Sequence, residues 1–144
     1  MDYYLDEGAK APTKAHRHDA GMDLYVYKFV GHGSEKVLTI EPNKTYLIDT
    51  GLHVDIPIGC VGLVLPRSSS NVNGLLLHTG VIDSGYTGSI KLTVNTLNEP
   101  KVIKLNDRLA QLVIVSLLND FTLNKVKSFT VSDRGDNGFG SSGS

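Results

Sequence analysis

The segment Ser89-Ile90-Lys91-Leu92-Thr93-Val94-Asn95-Thr96-Leu97 decides the fold class. Leu92 and Val94 fall on one face and Lys91, Thr93 and Asn95 on the other, the period-two alternation of a half-buried strand. Working outward in both directions, further short runs are rich in β-branched, aliphatic or aromatic residues. They lie at 24–30, 37–40, 45–48, 52–56, 60–65, 74–78, 101–105, 108–117 and 121–126. Turn-forming stretches separate them: Glu41-Pro42-Asn43, Ile56-Pro57-Ile58-Gly59 and Leu97-Asn98-Glu99-Pro100. No window of helical length has a helical period, and the best candidate for a helix is one turn at 69–73, after Pro66. Many short strands with regularly spaced turns predict an all-β sandwich or barrel. There is no internal repeat and no dividing linker.

The 144 residues suffice for one domain with one core. Fourteen basic side chains against fifteen acidic ones leave a net charge of −1, and no basic block suggests a nucleic-acid or membrane partner. Cations that bind phosphate must therefore sit at particular places. Cys60 stands alone, so no intrachain disulfide is possible, and it is expected to be a small buried apolar side chain. The start, Met1-Asp2-Tyr3-Tyr4-Leu5-Asp6-Glu7, has acids where a signal peptide needs bases, and no run reaches membrane-spanning length. A soluble, intracellular protein is the expectation.

The last segment, Ser132-Asp133-Arg134-Gly135-Asp136-Asn137-Gly138-Phe139-Gly140-Ser141-Ser142-Gly143-Ser144, has four glycines and almost no aliphatic residue. It cannot bury enough surface to fold alone, which on composition reads as a loose terminus. Yet one Arg and one Phe stand among glycines and hydroxyls, the parts needed to grip an anion and stack on a ring.

Four more blocks carry possible chemistry, and each alone has an ordinary reading. Ala20-Gly21-Met22-Asp23-Leu24 puts a carboxylate at a strand start, where most such acids cap turns. Pro66-Arg67-Ser68-Ser69-Ser70 leaves an apolar strand with a guanidinium and three hydroxyls: a phosphate cradle, or a polar loop with Ser capping a helix start. In Gly80-Val81-Ile82-Asp83-Ser84-Gly85-Tyr86-Thr87-Gly88 the glycines favour a hairpin-like reversal around Asp83 and Tyr86. That carboxylate could take a proton from water, and that ring could face a sugar or base; the plain alternative is a capped turn with a packed Tyr. In Asn106-Asp107-Arg108-Leu109-Ala110-Gln111-Leu112, Asp107 and Arg108 read as a turn and a structural ion pair. Gln111 is the one plausible ligand contact there. The tail is no Walker loop, lacking the Gly-Lys-Ser/Thr ending and a following helix.

Together, in this order and spacing, the five blocks resemble the motifs of the homotrimeric dUTPase family, over essentially all of the chain from Lys10. The resemblance implies a distorted, jelly-roll-like β-barrel assembled as a homotrimer, each active site lying at a subunit boundary. Residues 1–131 would form the barrel domain and 132–144 a flexible arm that closes a neighbour's site. The implied activity is hydrolysis of dUTP to dUMP and pyrophosphate with Mg²⁺, which keeps uracil out of DNA and supplies dUMP for dTTP synthesis. Carried over residue by residue, Asp83 resembles the general base, and Arg67, Ser68 and Ser69 the phosphate-binding triplet. In the same way Arg67 would also brace the region of Asp83. Gln111 resembles an α-phosphate contact, and Arg134, Ser141 and Ser142 a γ-phosphate clamp. Gly80, Val81 and Ile82 resemble the hairpin that reads uracil with backbone groups, Tyr86 the ring under the deoxyribose, and Phe139 a lid stacked on uracil. Lys91 falls near the nucleoside, and Asp23 resembles the acid that meets magnesium's water shell.

The chain departs from the family pattern in places. His78 and Thr79 stand where many members have Asn or Gly, and Asn106 replaces the Gly before Asp107-Arg108; Asn tolerates a left-handed backbone. Residues 26–36 look slightly longer than in compact members, as a surface insertion would. His16 and His18 are two apart, a spacing that could serve a metal. Two other functions suit these motifs less well. A dCTP deaminase shares an Arg-Ser-Ser block but lacks the Arg/Phe tail, and a regulatory protein-binding member commonly loses catalytic residues that are present here.

Overall fold

In the computed structural model the described residues are 1–118 and 122–138. The chain is mostly β: β1 (Tyr3–Leu5), β2 (Gly21–Tyr25), β3 (Lys28–Phe29), β4 (Val37–Ile40), β5 (Tyr46–Asp49), β6 (Leu52–Val54), β7 (Cys60–Pro66), a one-turn helix α1 (Ser68–Val72), β8 (Leu75–Leu77), β9 (Gly80–Ile82), β10 (Lys91–Thr96), β11 (Lys101–Lys104) and β12 (Arg108–Ser116). Two four-stranded sheets, ordered β2-β12-β7-β9 and β3-β5-β10-β8, are joined by the two-stranded ribbons β1-β6 and β11-β4. All these pairings are antiparallel, and their hydrogen bonds do not close a barrel among the described residues.

The alternation at 91–95 is realised in β10, where Leu92 and Val94 are fully buried while Lys91 faces out. Leu24, Phe29, Ile40, Ile48, Leu52, Ile90, Ile103 and Leu112 complete one core between the sheets. Each buried aliphatic of this size contributes roughly 1.5–3 kcal/mol. β12 is the spine of its sheet, paired along its length with both β2 and β7. Asn106 enters it with φ +69, the left-handed conformation expected of an Asn in place of Gly.

Several readings need correction. The run at 24–30 is not one strand: β2 pairs with β12 and β3 with β5, and the chain changes sheets at Val26 and Tyr27. There the Val26 amide donates to the carbonyl of Asp107, just before β12, and the Tyr27 amide to that of Asp49 in β5. β1 was not expected, because its tyrosines are exposed and carry no buried alternation. The run 121–126 is not a strand where described, from 122 onward, and its Leu123 and Val126 are exposed with no strand to cover them. Cys60 is half-buried at the start of β7. The helix has Arg67 at its N-cap with no side-chain cap, so no serine caps it. Residues 30–36 form an exposed turn after β3, held by amide bonds from His32 to Phe29 and from Glu35 to His32.

Candidate active site

At one end of the β2-β12-β7-β9 sheet, β7 stops at Pro66 and the chain winds into α1. Ser70 is buried and donates to the Leu109 carbonyl at 3.1 Å, which turns Ser68 and Ser69 outward to solvent. Arg67 Nε donates to Asp23 Oδ1 at 2.9 Å, and Arg108 Nη1 to Asp23 Oδ2 at 3.3 Å. Asp23, only 17% exposed, thus holds two guanidiniums in place. Arg67 Nη1 also donates to Ser69 Oγ at 3.3 Å. Gln111 lies between Asp23 and Leu65 in register, and its Nε2 donates to the Pro66 carbonyl at 3.1 Å. Gly21 leaves the room that this amide occupies, since any Cβ there would collide with it. Arg67, Ser69, Asn73, Lys101 and Arg108, together with Asp107, line a cleft of ≈ 360 Å³ in which the cations outnumber the acid.

The expected turn and structural ion pair are both present, and the partner of the ion pair is Asp23. Asp107 Oδ2 accepts from the Lys104 amide at 3.0 Å and closes its own turn, while Arg108 crosses to Asp23. Consecutive side chains at a strand start point to opposite faces, so the two cannot face each other. Arg108 is therefore a site residue that the sequence pattern concealed; its partner lies 85 positions away.

The hairpin block behaves differently. β9 pairs with β7, Gly80 opposite Val64 and Ile82 opposite Gly62, and it is the outer strand of its sheet. The Tyr86 amide donates to the Asp83 carbonyl at 3.2 Å, and Gly85 at φ +85 completes the reversal. Asp83 is exposed, and no side chain among the described residues bonds its carboxylate. Tyr86 is 43% exposed; its hydroxyl donates to the Ser89 carbonyl at 3.1 Å and its ring lies against Gly88. Lys91 Nζ donates to Ser89 Oγ at 2.9 Å, and Ser89 Oγ to Asp49 Oδ2 at 3.0 Å, so Lys91 stands at the foot of the Tyr86 turn.

The register separates the two clusters. Asp83 follows Ile82 and so lies level with Val61, whereas Arg67 follows Pro66. The six residue steps from Val61 to Arg67 span roughly 20 Å in extended chain. Arg67 therefore braces Asp23 rather than the region of its own chain's Asp83, and a single chain cannot bring Ser68, Ser69 and Asp83 onto one small substrate group.

In the tail, Arg134 is exposed, with Nε donating to the Asn137 carbonyl at 3.1 Å across a turn at Gly135. Phe139, Ser141 and Ser142 lie outside the described residues. Among the described residues no cluster of three or more His, Cys, Asp or Glu could hold a metal ion, and His16 and His18 are exposed. Each Asp23 oxygen accepts one guanidinium bond and keeps a lone pair for a metal-bound water, so the acid fits an outer-sphere role. No helix is long and apolar enough to cross a membrane among the described residues.

Fold and site together define a mostly β protein that keeps an Arg- and Ser-bearing loop and a carboxylate-bearing hairpin at opposite ends of one sheet. The chain belongs to the dUTPase family, whose model matches residues 7–143. It is 40% identical over 151 residues to the deoxyuridine 5′-triphosphate nucleotidohydrolase of Mycobacterium marinum, covering 96% of this chain and 91% of that one. It also resembles the solved dUTPase of Staphylococcus bacteriophage 80alpha with dUPNHPP. There the TM-score is 0.82 and the identity 30%, over 99% of this chain and 98% of that one. A mutant dUTPase from phage phi11 of S. aureus, described with a structural Mg(II) ion, matches with a TM-score of 0.72 and 27% identity, over 89% of this chain and 97% of that one.

Proposed function

We propose that this protein hydrolyses dUTP to dUMP and pyrophosphate in active sites shared between the subunits of a homotrimer. The observation that carries the reading is the separation just described: the phosphate-type loop and the free carboxylate are both exposed, yet too far apart within one chain to serve one reaction.

In this reading Asp83 of one subunit takes a proton from water as its oxygen attacks the α-phosphorus in line. The bond from that phosphorus to the bridging oxygen breaks, and pyrophosphate leaves. Arg67, Ser68 and Ser69 of another subunit hold the phosphate chain, with Ser68 donating to the departing oxygen, so positioning and charge compensation carry most of the acceleration. Gln111 meets the α-phosphate with the amide hydrogen that Pro66 leaves free. β9 has an unpaired outer edge, so the backbone of Gly80, Val81 and Ile82 can read uracil as an added strand would be read. A uracil slot of fixed donors and acceptors penalises cytosine, which leaves some of them unpaired. Tyr86 packs under the deoxyribose, where a 2′-hydroxyl would collide, and Lys91 supports that turn. Residues 132–144 form an arm that closes a neighbour's site, with Arg134, Ser141 and Ser142 on the γ-phosphate and Phe139 over uracil. Mg²⁺, when bound with the triphosphate, would offset its charge, with Asp23 touching the ion's water shell.

The test is pyrophosphate release with Mg²⁺ from dUTP, dCTP, dTTP and UTP. Strong selectivity for dUTP with dUMP as product is expected. Ammonia from dCTP would replace this reading with deamination, and a folded trimer inert towards dUTP would move the function to protein binding.

A further inference from the structure

The residue that fastens the substrate hairpin from behind lies outside every motif. His53 sits in β6, and its ring is 14% exposed. Nδ1 lies 2.8 Å from the carbonyl oxygen of Thr87, the residue after Tyr86. A carbonyl only accepts, so Nδ1 carries the hydrogen. Nε2 lies 3.1 Å from Asp6 Oδ1, just past β1, a second acceptor, so the ring makes both bonds only with a hydrogen on each nitrogen; Tyr4 of β1 stacks on the ring with centroids 4.1 Å apart and planes at 10°. The ring is therefore fixed by two hydrogen-bonding partners and one stacking partner.

What it fixes follows from the hairpin's other attachments. The ascending leg, β9, is held by three paired residues of β7. The descending leg is tied to the sheet at Ile90, whose amide donates to the Leu52 carbonyl at 2.8 Å and whose carbonyl accepts from the Thr50 amide. From Ser84 to Gly88, among the described residues, the exposed turn has bonds to its own ends and the contact from His53 to Thr87, while Ser89 is already tied to Asp49. A hollow of ≈ 220 Å³ lies between Tyr3, Tyr4 and His53 on one side and Gly85, Tyr86 and Thr87 on the other.

We propose that His53 is a positioning residue for the sugar site: its Nδ1–H sets the Thr87 carbonyl and, through it, the height of the Tyr86 ring, with Asp6 and Tyr4 setting the imidazole. The N-terminal strand thereby joins the active-site scaffold. This rests on the reading of Tyr86 as the sugar-facing ring.

The two ring nitrogens can be tested apart, because an Asn amide nitrogen replaces Nδ1 and a Gln amide nitrogen replaces Nε2. The experiment measures kcat and KM for dUTP and UTP, with melting temperature, on the full-length wild type, His53→Asn, His53→Gln, His53→Ala and Tyr86→Ala. His53→Gln and His53→Ala should raise KM for dUTP by about three- to tenfold, the scale of one positioning hydrogen bond, and narrow the preference for dUTP over UTP. Their kcat should change less, and His53→Asn should restore most of the loss. If His53→Gln matched His53→Asn, or if all three variants lost only thermal stability, the proposal would be overturned. Tyr86→Ala separates the two ideas: intact sugar selectivity there removes the role given to Tyr86, and the contrast between Gln and Asn in KM still decides that of His53.

Discussion

The two ends of the β2-β12-β7-β9 sheet are built on opposite principles. At the Arg67 end the polar groups satisfy one another before any ligand arrives: Asp23 holds Arg67 and Arg108, Gln111 holds the Pro66 carbonyl, and Ser70 is drawn inside. At the Asp83 end Asp83 and Tyr86 stand in solvent on a turn held by a few bonds, and the carboxylate has no side-chain partner among the described residues. The first arrangement ties binding to folding. The second leaves a group whose removal should cost the fold almost nothing. Substitutions at the two ends should therefore fail in different assays.

The largest effect belongs to the free end. Asp83→Asn should lower dUTP turnover by about a thousandfold, within the range of a lost general base, while the melting temperature and nucleotide affinity stay close to wild type. Substantial residual turnover would remove Asp83 as the base. The same variant probes the shared site. Asp83→Asn mixed with inactive Arg67→Gln under exchange conditions should regain activity, because some hybrid sites then draw Asp83 from one chain and Arg67 from another. No recovery from exchanged, folded oligomers would mean that both groups serve one site from one chain, against the register of β7 and β9.

Next comes removal of the arm. Deletion of Asp133–Ser144 should leave the oligomer unchanged in sedimentation and lower hydrolysis by about a hundredfold, the scale of losing fixed donors to a developing charge. A truncated protein working at full rate would end the lid assignment.

At the wired end, Asp23→Ala should cost about 2 kcal/mol in urea unfolding, since two charged hydrogen bonds go and two guanidiniums lose the acid between them. KM should rise with it, because Arg67 is no longer held. A loss of activity with no shift in the unfolding midpoint would erase the contrast between the ends.

The contrast also explains what could be read from sequence. The β10 alternation, the reversal at Asp83 and the left-handed turn at Asn106 are local consequences of side-chain period and backbone freedom, and each stands in the structure. Asp23, Arg67 and Gln111 are connected in the sequence only by the family resemblance, and in the structure they lie together. The partner of Arg108, the division of residues 24–30 between two sheets and the support from His53 were not legible. Each depends on which distant strand lies alongside, and spacing along the chain does not encode that. The run 121–126 has strand composition, yet from 122 onward it pairs with no strand among the described residues, and composition alone cannot supply a partner.

The smallest effect sharpens the comparison most. Gly88 has no left-handed backbone requiring glycine; what it provides is space, because a Cβ there would meet the Tyr86 ring. Gly88→Ala should therefore push the ring outward. The turn is exposed and lightly held, so the displacement should cost well under 1 kcal/mol of stability, in keeping with surface changes. The ring's position should nevertheless reach KM, raising it by about two- to fivefold, while kcat stays near wild type because Asp83 lies on the near side of Gly85. A clear fall in the unfolding midpoint with unchanged KM would show that the hairpin is as firmly built into the fold as the Arg67 end, and the two ends would then differ only in chemistry.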